Sequence, residues 1–146
     1  MFRTSDLSSV PAEDSYRSSN DALAHDSELQ TALHYFPGRL PPRARRRVQD
    51  YITAHLGQRI TNDALAAVAG LSVCHFTRVF KQTEGISPHR YVLHCRVKRA
   101  KELLADPKMS QAQIAFAAGF SDQSHYTRWF RQICGLTPGG YRWMTR

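Results

Sequence analysis

A chain of 146 residues has room for one ordinary domain or two very small ones. Its charge is unevenly placed: residues 1–43 hold four Lys/Arg against six Asp/Glu, and residues 44–146 hold sixteen against six. Such a basic surplus favours a polyanionic partner, nucleic acid before an acidic membrane, and says nothing of fold.

In chain order, residues 1–19 are Ser-rich and polar, the composition of a disordered segment. Asn20–Tyr35 reads as a weak helix whose stripe is poorly apolar, and the prolines and glycine of Phe36–Pro42 read as a linker. Residues 1–42 are therefore expected to be a mostly disordered extension, with the ordered domain starting near Arg43. The next segment, Arg43–Leu56, places Val48, Tyr51, Ile52 and Leu56 on one helical face, with Gly57 at a plausible C′ position. Arg45, Arg46 and Arg47 in its first turn have the wrong sign for a helix N-terminus. A phosphate backbone would favour Arg45 and Arg46 there; an ordinary solvated face is the other explanation.

A short helix follows over Asn62–Ala69, capped by Thr61 or Asn62, then a turn at Gly70 and a helix capped by Ser72 that runs to about Thr83 and stops at Gly85. Ser87-Pro88 opens a long helix to Leu104, with Leu93, Val97, Ala100 and Leu104 at helical spacing. At about 1.5 Å per residue it is roughly 25 Å long. The pattern then restarts. Ser110 and Gln113 form a capping box for Gln111–Ala118, Gly119 turns, and Ser121 caps Asp122–Cys134. Gly135 stops that helix, and Thr137-Pro138 opens a last one to about Thr145. No segment alternates with period two, so the expected fold is all-α with about seven helices.

The restart is a repeat. FKQTEGISPHRY at Phe80–Tyr91 returns as FRQICGLTPGGY at Phe130–Tyr141, each preceded by a matching hexad, HFTRVF and HYTRWF. A repeat of this length is a structural unit used twice. Two helices joined by a short Gly-containing turn describe a helix-turn-helix, here about 61–85 and again about 110–135, with the helix 88–104 between them. Ala66 and Ala115, four residues before Gly70 and Gly119, let the paired helices approach. Leu65, Leu71, Phe76, Val79 and Phe80 are the expected core of the first copy; Ile114, Phe120, Tyr126, Trp129 and Phe130 are that of the second.

Taking the core positions away leaves an outward stripe on each second helix. The first copy shows Cys74, Thr77, Arg78 and Lys81; the second shows Ser124, Thr127, Arg128 and Arg131. Small polar residues beside an Arg suit major-groove reading, since Arg bonds both acceptors of a guanine edge for about 1–3 kcal/mol of discrimination. Lys81 and Arg131, one turn on, suit phosphate, as do Ser72 and Ser121 more weakly. A single exposed Arg is usually only solvated; the recurrence of the pattern in two copies favours DNA contact.

These segments, together with RYVLHCRVKRAKELLAD and IAFAAGFSDQSHYTRWFRQICGLTPGGYR, resemble the DNA-binding domain of AraC/XylS-type transcriptional regulators over about Arg43–Arg146. The resemblance implies a monomer that lays two recognition helices into successive major grooves of double-stranded DNA, with RNA polymerase as a further partner and activation as the commoner mode. Carried over by position, it implies base reading by Val73, Cys74, Thr77 and Arg78, and by Gln123, Ser124, Thr127 and Arg128. Val73 and Cys74 depart from the larger or more polar readers common in the family, leaving Arg78 and Thr77 as the main hydrogen-bonding readers of that copy. Many members also carry a large sensor or dimerisation domain, which some forty polar N-terminal residues cannot build.

Other constellations point nowhere specific. Cys74, Cys95 and Cys134 are odd in number and lack any CxxC spacing, so neither a disulfide framework nor a zinc site is suggested, and a reducing cytosol is the simplest setting. His75 and His125 occupy matching repeat positions that suit packing or phosphate. No signal-peptide-like run, bilayer-length apolar run, phosphate loop or hydrolase motif occurs. The expectation is a cytoplasmic, nucleoid-associated regulator and no enzyme, with no cofactor, metal or membrane contact. Two other readings are a degenerate protein-interaction module and a charge-driven, non-specific nucleic-acid binder. Ala66 and Ala115 are forty-nine residues apart but Phe80 and Phe130 fifty, which places an extra residue just after Ser121. A longer polar tip bearing Gln123, and an asymmetric DNA site, are expected from it.

Overall fold

The computed structural model describes residues 38–146, so the readings for residues 1–37 lie outside the described residues. Seven α-helices and no strand occur among the described residues: α1 Pro42–Ala54, α2 Asn62–Ala69, α3 Val73–Glu84, α4 Pro88–Leu104, α5 Gln111–Ala117, α6 Gln123–Cys134 and α7 Pro138–Met144. The fold is all-α, as the periodicity predicts. The chain divides into two compact units, residues 38–51 with 62–88, and residues 52–61 with 89–146.

In the first unit, α2 and α3 form a helix-turn-helix around a Gly turn. Gly70 takes φ +75°, and the Leu71 amide donates to the Ala66 carbonyl at 3.0 Å. That six-residue closure is a Schellman motif, which needs a left-handed residue at C′ and favours an apolar one after it. Leu65, Ala66, Ala69, Phe76, Val79 and Phe80 are buried, with the Phe76 and Phe80 rings 5.3 Å apart. Leu71 is only half-buried. Leu40, 3% exposed, also lies in this core, and its amide donates to Thr83 Oγ1 at 2.7 Å. Described structure thus begins before Arg43, because an apolar side chain in the Pro-rich stretch finds a place at the end of α3.

The second unit repeats the turn: Gly119 has φ +95°, and the Phe120 amide donates to the Ala115 carbonyl at 2.9 Å. Its core joins Leu93, Val97, Ala100 and Leu104 of α4 to Ile114, Ala115, Ala118, Phe120, Tyr126 and Phe130, with Trp129 only partly buried against it. Phe120, Tyr126, Phe130 and Tyr141 form a chain of ring contacts at 5.4, 5.8 and 5.5 Å. The buried Tyr126 hydroxyl donates to Gln111 Oε1 at 3.0 Å, and burial pushes its ionisation well above the usual tyrosine range.

Two expectations of the local sequence are revised. Helix α1 stops at Ala54, before Leu56, and Gly57 is not among the positive-φ glycines. The reason is Arg96 of α4, whose guanidinium takes the carbonyls of Leu56 at 3.2 Å and Gln58 at 2.8 Å. Arg142 acts likewise on the carbonyls of Leu104, Asp106 and Met109, closing the connection from α4 to α5. Finally, α6 is capped by Asp122, not by Ser121, and starts at Gln123.

Candidate nucleic-acid interface

The recognition helices are set by their buried sides. Phe76, Val79 and Phe80 turn inward on α3, which leaves Cys74, Arg78 and Lys81 exposed on the other face. On α6, burial of Tyr126 and Phe130 leaves Gln123, Ser124, Arg128 and Arg131 exposed, and Trp129 meets the Arg90 guanidinium at 5.6 Å. Each helix is twelve residues long, starts after a side-chain cap and ends at a left-handed glycine, Gly85 or Gly135. Arg78, Lys81, Arg128 and Arg131 form no ion pair among the described residues. Among the described residues their charges are therefore uncompensated, four cations on two exposed stripes.

The two stripes differ in what they offer. Val73 is 37% exposed and Cys74 is a free, exposed thiol. The half-buried Thr77 hydroxyl donates to the Val73 carbonyl at 2.8 Å, so its proton is committed to its own helix and its methyl and lone pairs remain. Thr127 has no such bond among the described residues. Gln123, Ser124, Thr127, Arg128 and Arg131 line one shallow groove, together with Thr137. The spacing marks Thr137 only as a cap, and it does cap α7, accepting from the Gly140 amide at 3.1 Å, while also lining this groove.

The extra residue of the second copy sits in the turn and not in the helix, so α6 gains no longer tip. Cap-to-cap the copies run from Ser72 to Asp122, and Val73 corresponds to Gln123. Ser72 Oγ accepts from the His75 amide at 3.2 Å. In the second copy that capping role passes to Asp122, which accepts from the His125 amide at 2.8 Å. Ser121 instead bonds Asp122 Oδ2 at 3.4 Å and His125 Nδ1 at 3.2 Å. The His125 amide and the helix N-terminus hold the Asp122 carboxyl below the usual range, which places an anion at the tip of α6.

His125 lies edge-on to Phe120 at 5.6 Å. Burial, then the neighbouring Arg128, lowers its pKa; burial, then Arg90, lowers that of His94 in α4. A lowered imidazole stabilises the fold while neutral, fully above the usual value near 6.5, and that contribution is lost as pH falls through the folded-state value. Thermal unfolding followed by circular dichroism is expected to show a midpoint that drops on acidification from pH 7 to about 5, with a smaller drop in the His94→Gln/His125→Gln double variant.

Arg45 requires a correction. Expected at phosphate, it is buried at 7% exposure, and its Nε and Nη2 reach the two Glu84 oxygens at 2.6 and 3.2 Å. Its charge is held inside the unit, so it leaves the interface. Arg46 stays exposed, and Arg47 Nε donates to the Val68 carbonyl at 3.3 Å, tying α1 to the end of α2. Among the described residues no cluster of His, Cys, Asp and Glu could hold a metal ion, and no single helix is long and apolar enough to cross a membrane.

A family model described as a helix-turn-helix domain matches residues 65–144, more than half of the chain and both Gly turns. The chain belongs to the AraC/XylS-type helix-turn-helix family. It is 37% identical over 99 residues to the probable transcriptional regulator LumQ of Photobacterium leiognathi, covering 68% of this chain and 40% of that one. It is 32% identical over 92 residues to the transcriptional activator RhaS of Escherichia coli, covering 63% and 33%. The chain thus spans well under half the length of these relatives. An AraC-type regulator structure from Chromobacterium violaceum superposes with TM-score 0.66 at 29% identity, covering 70% of this chain and 92% of that one. The DNA-binding domain of AdpA, solved with a target DNA, gives 0.64 at 29% identity, covering 68% and 89%. The family is one of DNA-binding transcriptional regulators and not of enzymes.

Proposed function

We propose that this AraC/XylS-type member reads double-stranded DNA as a monomer, with α3 and α6 entering successive major grooves, and regulates transcription, as an activator that contacts or helps to place RNA polymerase. The observation that carries the reading is the pair of matching stripes, in which Arg78 with Lys81 and Arg128 with Arg131 stand exposed and without an acidic partner among the described residues. Within each stripe the arginine, beside Thr77 or Thr127, is the base reader; the cation one turn on takes phosphate. Val73, Cys74, Gln123 and Ser124 complete the base-reading set, and Ser72, Ser121 and Arg46 add weaker phosphate contacts. Thr137, on the rim of the second groove, joins the phosphate group.

Because Val73 and Cys74 stand where the second copy has Gln123 and Ser124, the two half-sites differ. Selection of bound sequences from a random duplex pool should return an asymmetric site with its halves about 10–10.5 base pairs apart. Arg128→Ala is expected to relax one position of that site at a cost of about 1–3 kcal/mol. Arg131→Ala should weaken all sequences about equally and reduce the salt slope by about one. An unchanged motif in Arg128→Ala would remove that residue from the reading set. Uniform affinity that collapses with salt would replace specific reading by charge-driven binding, and no binding at all would leave a protein-interaction module.

A further inference from the structure

The segment that precedes the described residues is opposite in charge to the unit it enters. Residues 1–37 hold two Lys/Arg and six Asp/Glu, whereas residues 38–51 with 62–88 hold seven Lys/Arg and three Asp/Glu. The two net charges are equal and opposite, −4 and +4. The point of entry is equally specific. Leu40 is anchored to Thr83, and a Cβ on Gly38 would lie 2.6 Å from Gln82 Oε1. Both partners belong to the last turn of α3, immediately after Lys81. The acidic segment therefore joins the domain at one end of a proposed DNA-reading helix.

Reach is not limiting. The ten residues from Glu28 to Pro37 span up to about 33–36 Å when extended, against a length of about 18 Å for the twelve residues of α3. Carboxylates from Glu28 back to Asp21 can thus meet Arg78 and Lys81 in any approach along the helix. Tethering matters because a short covalent connection supplies a local concentration of order mM, enough for weak carboxylate contacts to occupy a face whose two cations have no acidic partner among the described residues.

We propose that residues 1–37 dock on the face of α3 that exposes Arg78 and Lys81 beside Thr77, and compete there with DNA. Resting on the DNA-reading function proposed above, the contact gives the domain a built-in competitor whose acidic side chains stand in for phosphates. Its weakness is useful: the segment lowers occupancy of random DNA while yielding to a duplex that makes many phosphate contacts. Ionic strength governs both sides, since the Debye length shortens from about 10 Å at 0.1 M to about 3 Å at 1 M.

The test uses the whole chain and a variant with Asp6→Asn, Glu13→Gln, Asp14→Asn, Asp21→Asn, Asp26→Asn and Glu28→Gln. At low salt the variant should bind a short random-sequence duplex about 3- to 10-fold more tightly, with the gap closing as salt rises. In DNA-free protein, the amide resonances of Thr77, Arg78 and Lys81 should shift between the two forms at low salt and coincide at high salt. Equal affinities at every salt overturn the proposal. So does a tighter variant with unmoved α3 resonances, because net charge alone then explains it. Shifts confined to Arg128 and Arg131 of α6 overturn it as well. If neither form binds DNA while the α3 resonances still shift, the docking contact stands and the DNA-reading function falls.

Discussion

Arg45→Met is expected to destabilise the protein by about 3–5 kcal/mol in urea unfolding, because it strands a carboxylate that has left water. Glu84 is 1% exposed at its side chain and Arg45 9%. Besides Arg45, Gln49 Nε2 donates to Glu84 Oε2 over a long 3.4 Å. Glu84 also closes α3 at the negative end of the helix dipole, so removal of the guanidinium leaves two unfavourable terms together. Against a typical domain stability of about 5–15 kcal/mol the loss is a large share. Replacing both partners, Arg45→Met with Glu84→Leu, removes the buried charges as a pair and should recover most of the stability. A single variant that stays within about 1 kcal/mol of the parent, while losing DNA affinity, would return Arg45 to the phosphate role that its position in the first turn of α1 suggests.

Gly119→Ala is the second large effect, and Gly85→Ala is its control. Both glycines have positive φ, +95° and +84°, so each substitution carries the left-handed penalty of roughly 1–2 kcal/mol. Only Gly119 is crowded. A Cβ there would stand 1.9 Å from the Leu56 carbonyl oxygen and 2.8 Å from Arg96 Nε, whereas nothing lies within 4 Å at Gly85. Arg96 already uses that carbonyl, so the clash falls on backbone and on the side chain that holds it in place. Burial lowers the Arg96 pKa from its ordinary value. Displacing backbone in a packed region adds about 1–3 kcal/mol. Thermal melts should therefore separate the two variants clearly, with Gly119→Ala the lower. Similar midpoints would mean that the loop at Leu56 gives way at little cost.

The contrast between these glycines marks where local sequence stops being informative. Gly70, Gly85, Gly119 and Gly135 all read as punctuation, and all four adopt positive φ; Gly57 reads the same way and does not. What differs at Gly57 is a guanidinium from α4, forty residues further on in sequence for the Leu56 carbonyl. Capping shows a similar division. Ser72 and the Ser110–Gln113 box are legible because their donors lie three residues away. Ser121 and Asp122 are adjacent and chemically equivalent as caps, so their choice depends on how the longer second turn enters α6.

Much of the candidate interface was legible for one reason: a helix that buries every third or fourth residue must expose the positions between them. Phe76, Val79 and Phe80 determine by spacing alone that Arg78 and Lys81 face outward, and Tyr126 with Phe130 does the same for Arg128 and Arg131. What the stripe offers at the level of single hydrogen bonds was less visible. The Thr77 proton is taken by its own helix and, among the described residues, that of Thr127 is not, although the two positions are the same in sequence terms. Thr137 joins the second groove from a following cap, a proximity that no spacing within α6 contains.

By itself the sequence determined the helices, the doubled helix-turn-helix and the two basic stripes, because 3.6-residue periodicity, capping and left-handed glycines act over distances of a few residues. Only the tertiary structure decided which arginines of α1 stay exposed. Arg45 and Arg46 are neighbours with the same charge on the same helix turn, yet Arg46 is exposed and Arg45 is buried against Glu84, thirty-nine residues away. The fate of a charge depends on whether folding brings an opposite charge to it, and that meeting is made by packing α1 on α3, not by the residues beside it.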